Sequence, residues 1–161
     1  MIFTGSVPPA KPDDIIAWAD TCGIQVDGHS FDSTLNPQGI KPMRAMADAE
    51  TRVGTYIKPV QSGGSTAGEV VVAYWCRFCR GNVQENWQDD EKARERWADR
   101  ILPSLESVDM KWAGGRDSLI CEARFVNATL RAQGVFSEAA LNSDTIVHQK
   151  NEEVHLWKPG H

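Results

Sequence analysis

The spacing of apolar residues predicts helices in the first half of the chain. Over residues 12–23, apolar side chains recur at steps of three and four. Asp13 and Asp14 stand where the positive end of a helix favours acids, and Gly23 can end the helix in a left-handed conformation. The same spacing recurs from about residue 42 to residue 57. Two helices are therefore predicted in this half of the chain.

The most apolar part of the chain is EVVVAYWCRFCRGNV, residues 69–83. Thr66 and Glu69, three residues apart, form a capping-box pattern that predicts a helix start just before it. In a helix running from Thr66 onward, Cys79 and Val83 share one broad apolar face, and cysteine behaves there as a small hydrophobic residue. The run of three valines, which are β-branched, is also compatible with a strand at the start of this segment.

Two further helices are predicted downstream. Asp89 and Asp90 open an amphipathic stretch whose apolar stripe ends before Pro103. Spacing of three and four then predicts a helix over residues 119–134, and SEAALN, residues 137–142, is a short helix candidate.

These patterns predict a mainly α fold, with a compact domain resembling a helical bundle, an extended N-terminal arm and a short β or irregular C-terminal region. The arm covers residues 1–11, a single helical domain covers residues 12–145, and a C-terminal arm or short hairpin covers residues 146–161. A chain of 161 residues is long enough for one domain to bury a core without cross-links.

Composition and charge narrow the class of protein only slightly. The chain is 41% hydrophobic and 24% charged, with a net charge of −5, which excludes a generally basic surface. No apolar run approaches the ~20 residues that span a bilayer, and the start of the chain lacks a secretory signal pattern. We expect an intracellular (cytoplasmic) or virion location and no membrane partner.

The spacing of the four cysteines does not predict a metal site. Cys76 and Cys79 are three residues apart, but the other cysteines and the four histidines are scattered singly. A structural zinc site usually uses two close pairs of such ligands. Because no secretory context is visible, we expect reduced thiols rather than disulfides.

Residues 69–83 also resemble the active-site segment of thioredoxin-like proteins, in which a buried strand leads into Trp-Cys-x-x-Cys at a helix start. The resemblance implies that Cys76 is an attacking thiolate, with its pKa lowered by the helix N-terminus and by neighbouring arginines, and that Cys79 resolves the mixed disulfide. The proline that this family places opposite the cysteines has no match here. The alternative hypothesis is therefore a thioredoxin-like thiol-disulfide oxidoreductase.

Arginines outnumber lysines, and arginine binds phosphate in a bidentate manner. A subset that converges on a groove can follow a single nucleic-acid strand, with an aromatic side chain such as Tyr56 or Trp75 stacking on bases. The candidate nucleic-acid-binding residues are Arg44, Arg52, Arg77 and Arg80.

Three segments, IIAWADTCGIQVDGHSF, IKPMRAMADAETRVGTYI and VVVAYWCRF, resemble in this order the core of coat proteins of flexuous filamentous plant viruses. Those proteins are mostly α-helical, polymerise through extended arms and hold one RNA strand in a groove. The resemblance implies that Arg44 contacts RNA. The leading hypothesis is a non-enzymatic, self-assembling structural protein without a cofactor, a viral or phage capsid or coat protein that forms homo-oligomers and binds single-stranded nucleic acid.

Overall fold

The structure, a computed structural model, describes residues 9–57, 62–108, 110, 121–136 and 145–157. Its helices are α1 (Ile15–Cys22), α2 (Pro37–Ala47), α3 (Gly64–Phe78), α4 (Asp90–Arg96) and α5 (Leu102–Ser107), with a π-helical turn at Trp97–Ile101 and a 3-10 helix at Val154–Leu156. Its strands are β1 (Gln25–Val26), β2 (His29–Ser30), β3 (Gly81–Trp87), β4 (Cys121–Arg124), β5 (Ala128–Gly134) and β6 (Ile146–Asn151).

The main sheet has the strand order β4-β5-β3-β6. β3 pairs in parallel with both β5 and β6, and β4 pairs antiparallel with β5. β1 and β2 form a separate small hairpin whose two-residue turn, Asp27 and Gly28, has positive φ at both positions. Asp-Gly is a favoured sequence for such a turn.

Side chains along β3 point alternately to the two faces of the main sheet, and this gives the sheet one apolar and one polar face. Val83 aligns with Leu130 of β5, and this row of side chains faces the helices. Gln84 and Asn86 alternate with it, and the Gln84 amide donates to Oδ1 of Asn86 on the opposite face. The described part of the fold therefore has a helical layer on the apolar face of the sheet.

α3 is the central helix of that layer. Every residue from Ala67 to Cys76 is buried, and the helix contacts α1, α2, α5 and three strands of the main sheet. Tyr74 and Phe78 of α3 pack with Trp18 of α1 in edge and tilted arrangements, with ring centroids 5.0–5.5 Å apart. A helix that is apolar on nearly all sides is stable only when it is surrounded in this way.

The fold is mixed α/β, so the prediction of a mainly α, bundle-like domain is wrong. The largest error is the helix predicted over residues 119–134, because the described part of this range forms β4 and β5. Ala123 and Leu130 satisfy helical spacing, but they also alternate with polar residues in strands. Val126, assigned to the apolar helix face, lies half exposed between the two strands.

The helix predicted over residues 42–57 is displaced. α2 begins at Pro37, a favourable first-turn position, and ends at Ala47. Residues 51–57 have no regular structure. Pro42 lies inside α2 and has no N–H to donate to the Gln38 carbonyl four residues earlier; the Tyr56 hydroxyl lies 3.5 Å from that oxygen instead.

Two other helices have different ends from those predicted. α3 begins at Gly64, so Glu69 lies inside the helix, where it is buried, and does not cap it. α3 ends at Phe78, and Val83, predicted on its apolar face, lies on β3 instead. The helix predicted from Asp89 is confirmed, and Asp89 accepts a hydrogen bond from the Lys92 N–H. It continues past Pro103 by way of the π-helical turn.

Three further predictions concern the first helix, the segment SEAALN and the C-terminal region. The helix predicted near Pro12 is confirmed as α1, with Asp14 as its N-cap and Gly23 ending it in the left-handed region. SEAALN lies outside the described residues. The C-terminal β6 pairs with β3 of the main sheet rather than with a neighbouring C-terminal strand.

Candidate functional site

The candidate nucleic-acid-binding residue Arg44 lies in a cleft dominated by carboxylates. Its guanidinium is 2.7 Å from Oδ2 of Asp14, and this contact lowers the pKa of the Asp14 carboxyl. The cleft has a volume of about 530 Å³, and Asp13 and Asp48 line it together with Lys11. Because carboxylates outnumber cations here, the cleft does not favour a phosphate group.

The other candidate arginines have separate surroundings. Arg77 donates to the Val108 carbonyl at 2.9 Å, whereas Arg52 and Arg80 are exposed. No contact in the described ranges brings two of the four candidate arginines together. The structure therefore supplies no groove built from this set of residues.

Two aromatic residues, Trp75 and Tyr56, were considered for stacking on bases. Neither presents a free ring face to a groove that could bind phosphate. Trp75 is buried, stacks on His148 with ring centroids 4.9 Å apart, and donates to the Met46 carbonyl. Tyr56 approaches α2 through its hydroxyl. Trp75 is therefore a core residue that attaches β6 to α3.

The cysteine pair lies at the C-terminal end of α3, not at a helix start. Cys76 is in the last turn and Cys79 is the C-cap. Burial raises the pKa of Cys76 well above its ordinary value, and Glu85 raises it further; burial also raises the pKa of Cys79. A thiolate needs the opposite arrangement, with a helix N-terminus and nearby cations.

We expect the thiols of Cys76 and Cys79 to react slowly in the folded protein. The rate of reaction with a disulfide reagent should rise only above the ordinary thiol pKa of about 8.5, because burial disfavours both thiolates and the charge of Lys11, which favours the thiolate of Cys79, does not outweigh it. The measurement is the pH dependence of that rate, with the denatured chain as control. A thiol that titrates below neutral pH, with insulin reduction abolished by Cys76→Ser, would restore the oxidoreductase hypothesis.

A cluster of charged side chains is buried between α3 and the sheet, and the sequence patterns did not indicate it. Nζ of Lys150 lies 2.8 Å from Oε1 of Glu69, 3.1 Å from Oε1 of Glu85 and 3.3 Å from Oε1 of Glu152. The fifth member is Arg100, whose Nε is 4.0 Å from Glu69. We call these five residues the Lys150 cluster.

The surroundings of Lys150 keep it charged. Burial alone lowers the pKa of the lysine, but the carboxylates of Glu69, Glu85 and Glu152 together outweigh that effect and raise it. Nζ also lies 5.4 Å from the ring centre of Trp87, within the range of a cation–π contact. Lys150 is thus an ammonium anchor rather than a nucleophile or base.

Glu85 is the carboxyl group of the Lys150 cluster that most readily takes a proton. Burial, followed by the charge of Glu69, raises its pKa to about 7. Its Oε2 accepts no hydrogen bond from the described residues, whereas an ionised buried carboxylate needs donors at both oxygens. When Glu85 is protonated, the two negative charges of Glu69 and Glu152 balance the two positive charges of Lys150 and Arg100.

Gly68 leaves the space that the Lys150 cluster requires. A Cβ added at Gly68 would lie 2.7 Å from Cε of Lys150, closer than carbon atoms approach without a bond. The lysine stem therefore passes directly over the α3 backbone to reach Glu69. A glycine beside an acid in an otherwise apolar helix is the one sequence signal that could have indicated this site, and it was not used in the predictions from sequence.

A second unusual feature is the extended segment Thr51–Ile57. The side chains of Val53 and Ile57 are 88% and 90% exposed, and Leu35 nearby in the chain is 81% exposed. The segment follows α2 back toward its start, as the Tyr56 contact with Gln38 shows. Within the described ranges, none of residues 52–57 makes a backbone–backbone hydrogen bond.

A third feature is the open edge of the main sheet at β6. In the described part of the chain, β6 pairs only with β3. Ile146 and Val147 are exposed on it, and Val154 is exposed just beyond its end. An edge strand with free backbone groups and exposed aliphatic side chains is a template for pairing with another chain.

The described ranges hold no group of three or more histidine, cysteine or carboxylate side chains arranged to hold a metal ion, and no described helix is long and apolar enough to cross a membrane. Comparisons with protein-family models, with curated proteins and with solved structures found no match. The class that the structure defines is a mixed α/β protein; within the described ranges it has a buried ion cluster, a segment at residues 51–57 that belongs to no sheet, and an edge strand, β6, that pairs on one side only.

Proposed function

We propose that this protein is a non-enzymatic structural protein that self-assembles. The observation that supports the proposal is the exposed Thr51–Ile57 segment, which presents aliphatic side chains to solvent and whose residues 52–57 make no backbone pairing within the described chain. An isolated exposed aliphatic residue is ordinary, but two in one segment that joins no sheet of the described chain, together with exposed aliphatic residues on the edge strand β6, mark an interaction surface.

The charged groups of the structure support a structural role rather than a catalytic one. Lys150 is held as an ammonium by three carboxyl groups, and its side chain is only 9% exposed. Cys76 is buried with a raised pKa. A general base or nucleophile needs a matched pKa and access to a substrate, and neither group has both.

Nucleic-acid binding is not part of this proposal. Arg44 is paired with Asp14, and Arg77 is bound to a backbone carbonyl, so neither is available as a free phosphate ligand. The coat-protein resemblance also implies self-assembly, through extended arms at the ends of the chain. A viral or phage origin stays a prediction from the sequence.

The test of self-assembly is the molar mass of the purified chain over a wide range of protein concentrations, measured by size exclusion with light scattering. We expect the mass to rise with concentration and the rise to persist at high salt, because the exposed surfaces are apolar and are not screened by ions. Negative-stain microscopy should show particles or filaments. A chain that remains monomeric at every concentration would refute the proposal.

A further inference from the structure

We propose that residues Thr51–Ile57 of one copy add as a strand to the open edge of β6 in a neighbouring copy. This inference rests on the proposed self-assembly and names the two surfaces that form the contact. We call residues 51–57 the donor segment and the free side of β6 the acceptor edge.

The sequence of the donor segment is that of a strand. Its first, third, fifth and seventh residues are all β-branched: Thr51, Val53, Thr55 and Ile57. β-branched residues favour an extended backbone, and residues at every second position of a strand point to the same face of the sheet. The segment nevertheless belongs to neither sheet of the described fold.

The placement of the donor segment leaves it available to another chain. The Tyr56 hydroxyl contacts the Gln38 carbonyl, which Pro42 leaves without its helical donor, so one point of the segment is held beside α2. Val53 and Ile57 point into solvent. The segment is therefore held near α2, and within the described chain its residues 52–57 make no backbone–backbone hydrogen bond.

The acceptor edge has backbone donors directed away from the sheet. The Glu152 N–H donates to the Asn86 carbonyl of β3 at 3.1 Å. Because successive residues of a strand point their N–H groups to opposite sides, the N–H groups of Gln149 and Asn151 face the open side. A strand placed there would receive these hydrogen bonds.

Two further features suit β6 to accept a strand. Lysine on an edge strand normally discourages pairing, but Lys150 is turned inward to Glu69 and Glu85. The same contacts fix β6 to α3 and β3, so the edge is rigid before a partner binds. Arg52 of the donor segment and Glu153, which follows β6, carry opposite charges and are both exposed.

Donor segment and acceptor edge are different surfaces, so the proposed contact is head-to-tail. Each copy offers one of each, and repetition of the contact gives an open filament or a closed ring rather than an isologous dimer. A β6-to-β6 contact would instead stop at two copies. The two arrangements predict different behaviour of mixed variants.

Two variants each remove one surface. Val53→Asp places a charge in the donor segment at a position that is already exposed, and Gln149→Pro removes one outward N–H from the acceptor edge. Each variant alone should be monomeric where the wild-type chain assembles. Val126→Asp, the same chemical change at a half-exposed valine between β4 and β5, is the matched control and should assemble normally.

Mixing the two variants is the decisive measurement. The Val53→Asp copy retains its acceptor edge and the Gln149→Pro copy retains its donor segment, so an equimolar mixture should form a dimer that cannot grow. Circular dichroism and urea unfolding check that each variant folds. If Gln149→Pro does not fold, Ile146→Lys on the same edge takes its place.

The outcomes separate this inference from the proposed function. Assembly of Val53→Asp equal to that of the wild-type chain would overturn the inference and leave self-assembly intact. Failure of the two variants to complement each other would also overturn it, because an isologous β6 contact behaves in that way. A wild-type chain that stays monomeric would overturn both.

Discussion

Replacement of Lys150 by methionine is expected to lower the free energy of unfolding by about 3–5 kcal/mol at neutral pH. Methionine retains most of the volume of the lysine stem, so packing against Gly68 is largely kept. The loss is electrostatic, because Glu69 and Glu152 remain buried with only Arg100 nearby, at 4.0 Å from Glu69. An unpaired buried carboxylate costs far more than a missing surface ion pair.

The measurement is urea unfolding followed by circular dichroism, and Lys92→Met is the matched control. Lys92 also forms an ion pair, 2.9 Å from Glu95, but at the surface of α4, where solvent screens the pair and it contributes little to stability. Equal effects of the two substitutions would contradict the role assigned to the Lys150 cluster.

Local signals in the sequence located several helix ends correctly. Asp14 accepts a hydrogen bond from the Ile16 N–H, Gly23 has a φ of 75°, and Asp89 caps α4. Each of these features depends on residues within three or four positions of one another. Capping chemistry of this kind can be read from sequence because its partners are neighbours in the chain.

The strands were missed because short apolar patterns fit both helix and strand. Ala123 and Leu130 can occupy one face of a helix or one face of a sheet. Their assignment depends on β3, which pairs with β5 from some forty-seven positions away, as the Gly81–Ala128 register shows. Only tertiary contacts decide between the two interpretations, and a pattern within one window does not contain them.

The Lys150 cluster was missed because it too depends on tertiary contacts, here between residues still farther apart in the chain. Lys150 is 81 positions from Glu69 and 65 positions from Glu85 along the chain. In sequence the lysine belongs to a polar C-terminal stretch, which favours a solvent-exposed interpretation. Burial of charge depends on partners brought together by the fold, so composition alone predicts it poorly.

The donor segment was assigned to a helix because Val53 and Ile57 continue the spacing of α2. The competing signal was present, since four β-branched residues alternate there and Gly54 weakens a helix. The described part of the chain offers this segment no pairing strand. We propose that a neighbouring copy supplies one, and a single sequence does not contain that information.

Glu85→Gln is expected to make the protein more stable than the wild type at about pH 8 and equally stable at about pH 4, below the ordinary pKa of the carboxyl group. Burial raises the folded-state pKa of Glu85 to about 7, above its ordinary value of 4.5. A carboxyl group with a raised pKa stabilises the fold fully below its unfolded pKa, and that contribution is lost as pH rises through 7. Glutamine stays neutral at both pH values and can still accept from Lys150 through Oε1.

The expected difference at about pH 8 is about 1–3 kcal/mol, measured as the gap between the two urea unfolding free energies at a series of pH values. His148 gives the opposite slope, because burial lowers its pKa, but it is present in both chains and cancels in the comparison. Glu95→Gln is the control: Lys92 lowers the pKa of Glu95, so removing that carboxylate should not stabilise the protein at high pH. A gap that does not grow with pH would show that Glu85 remains ionised beside Lys150.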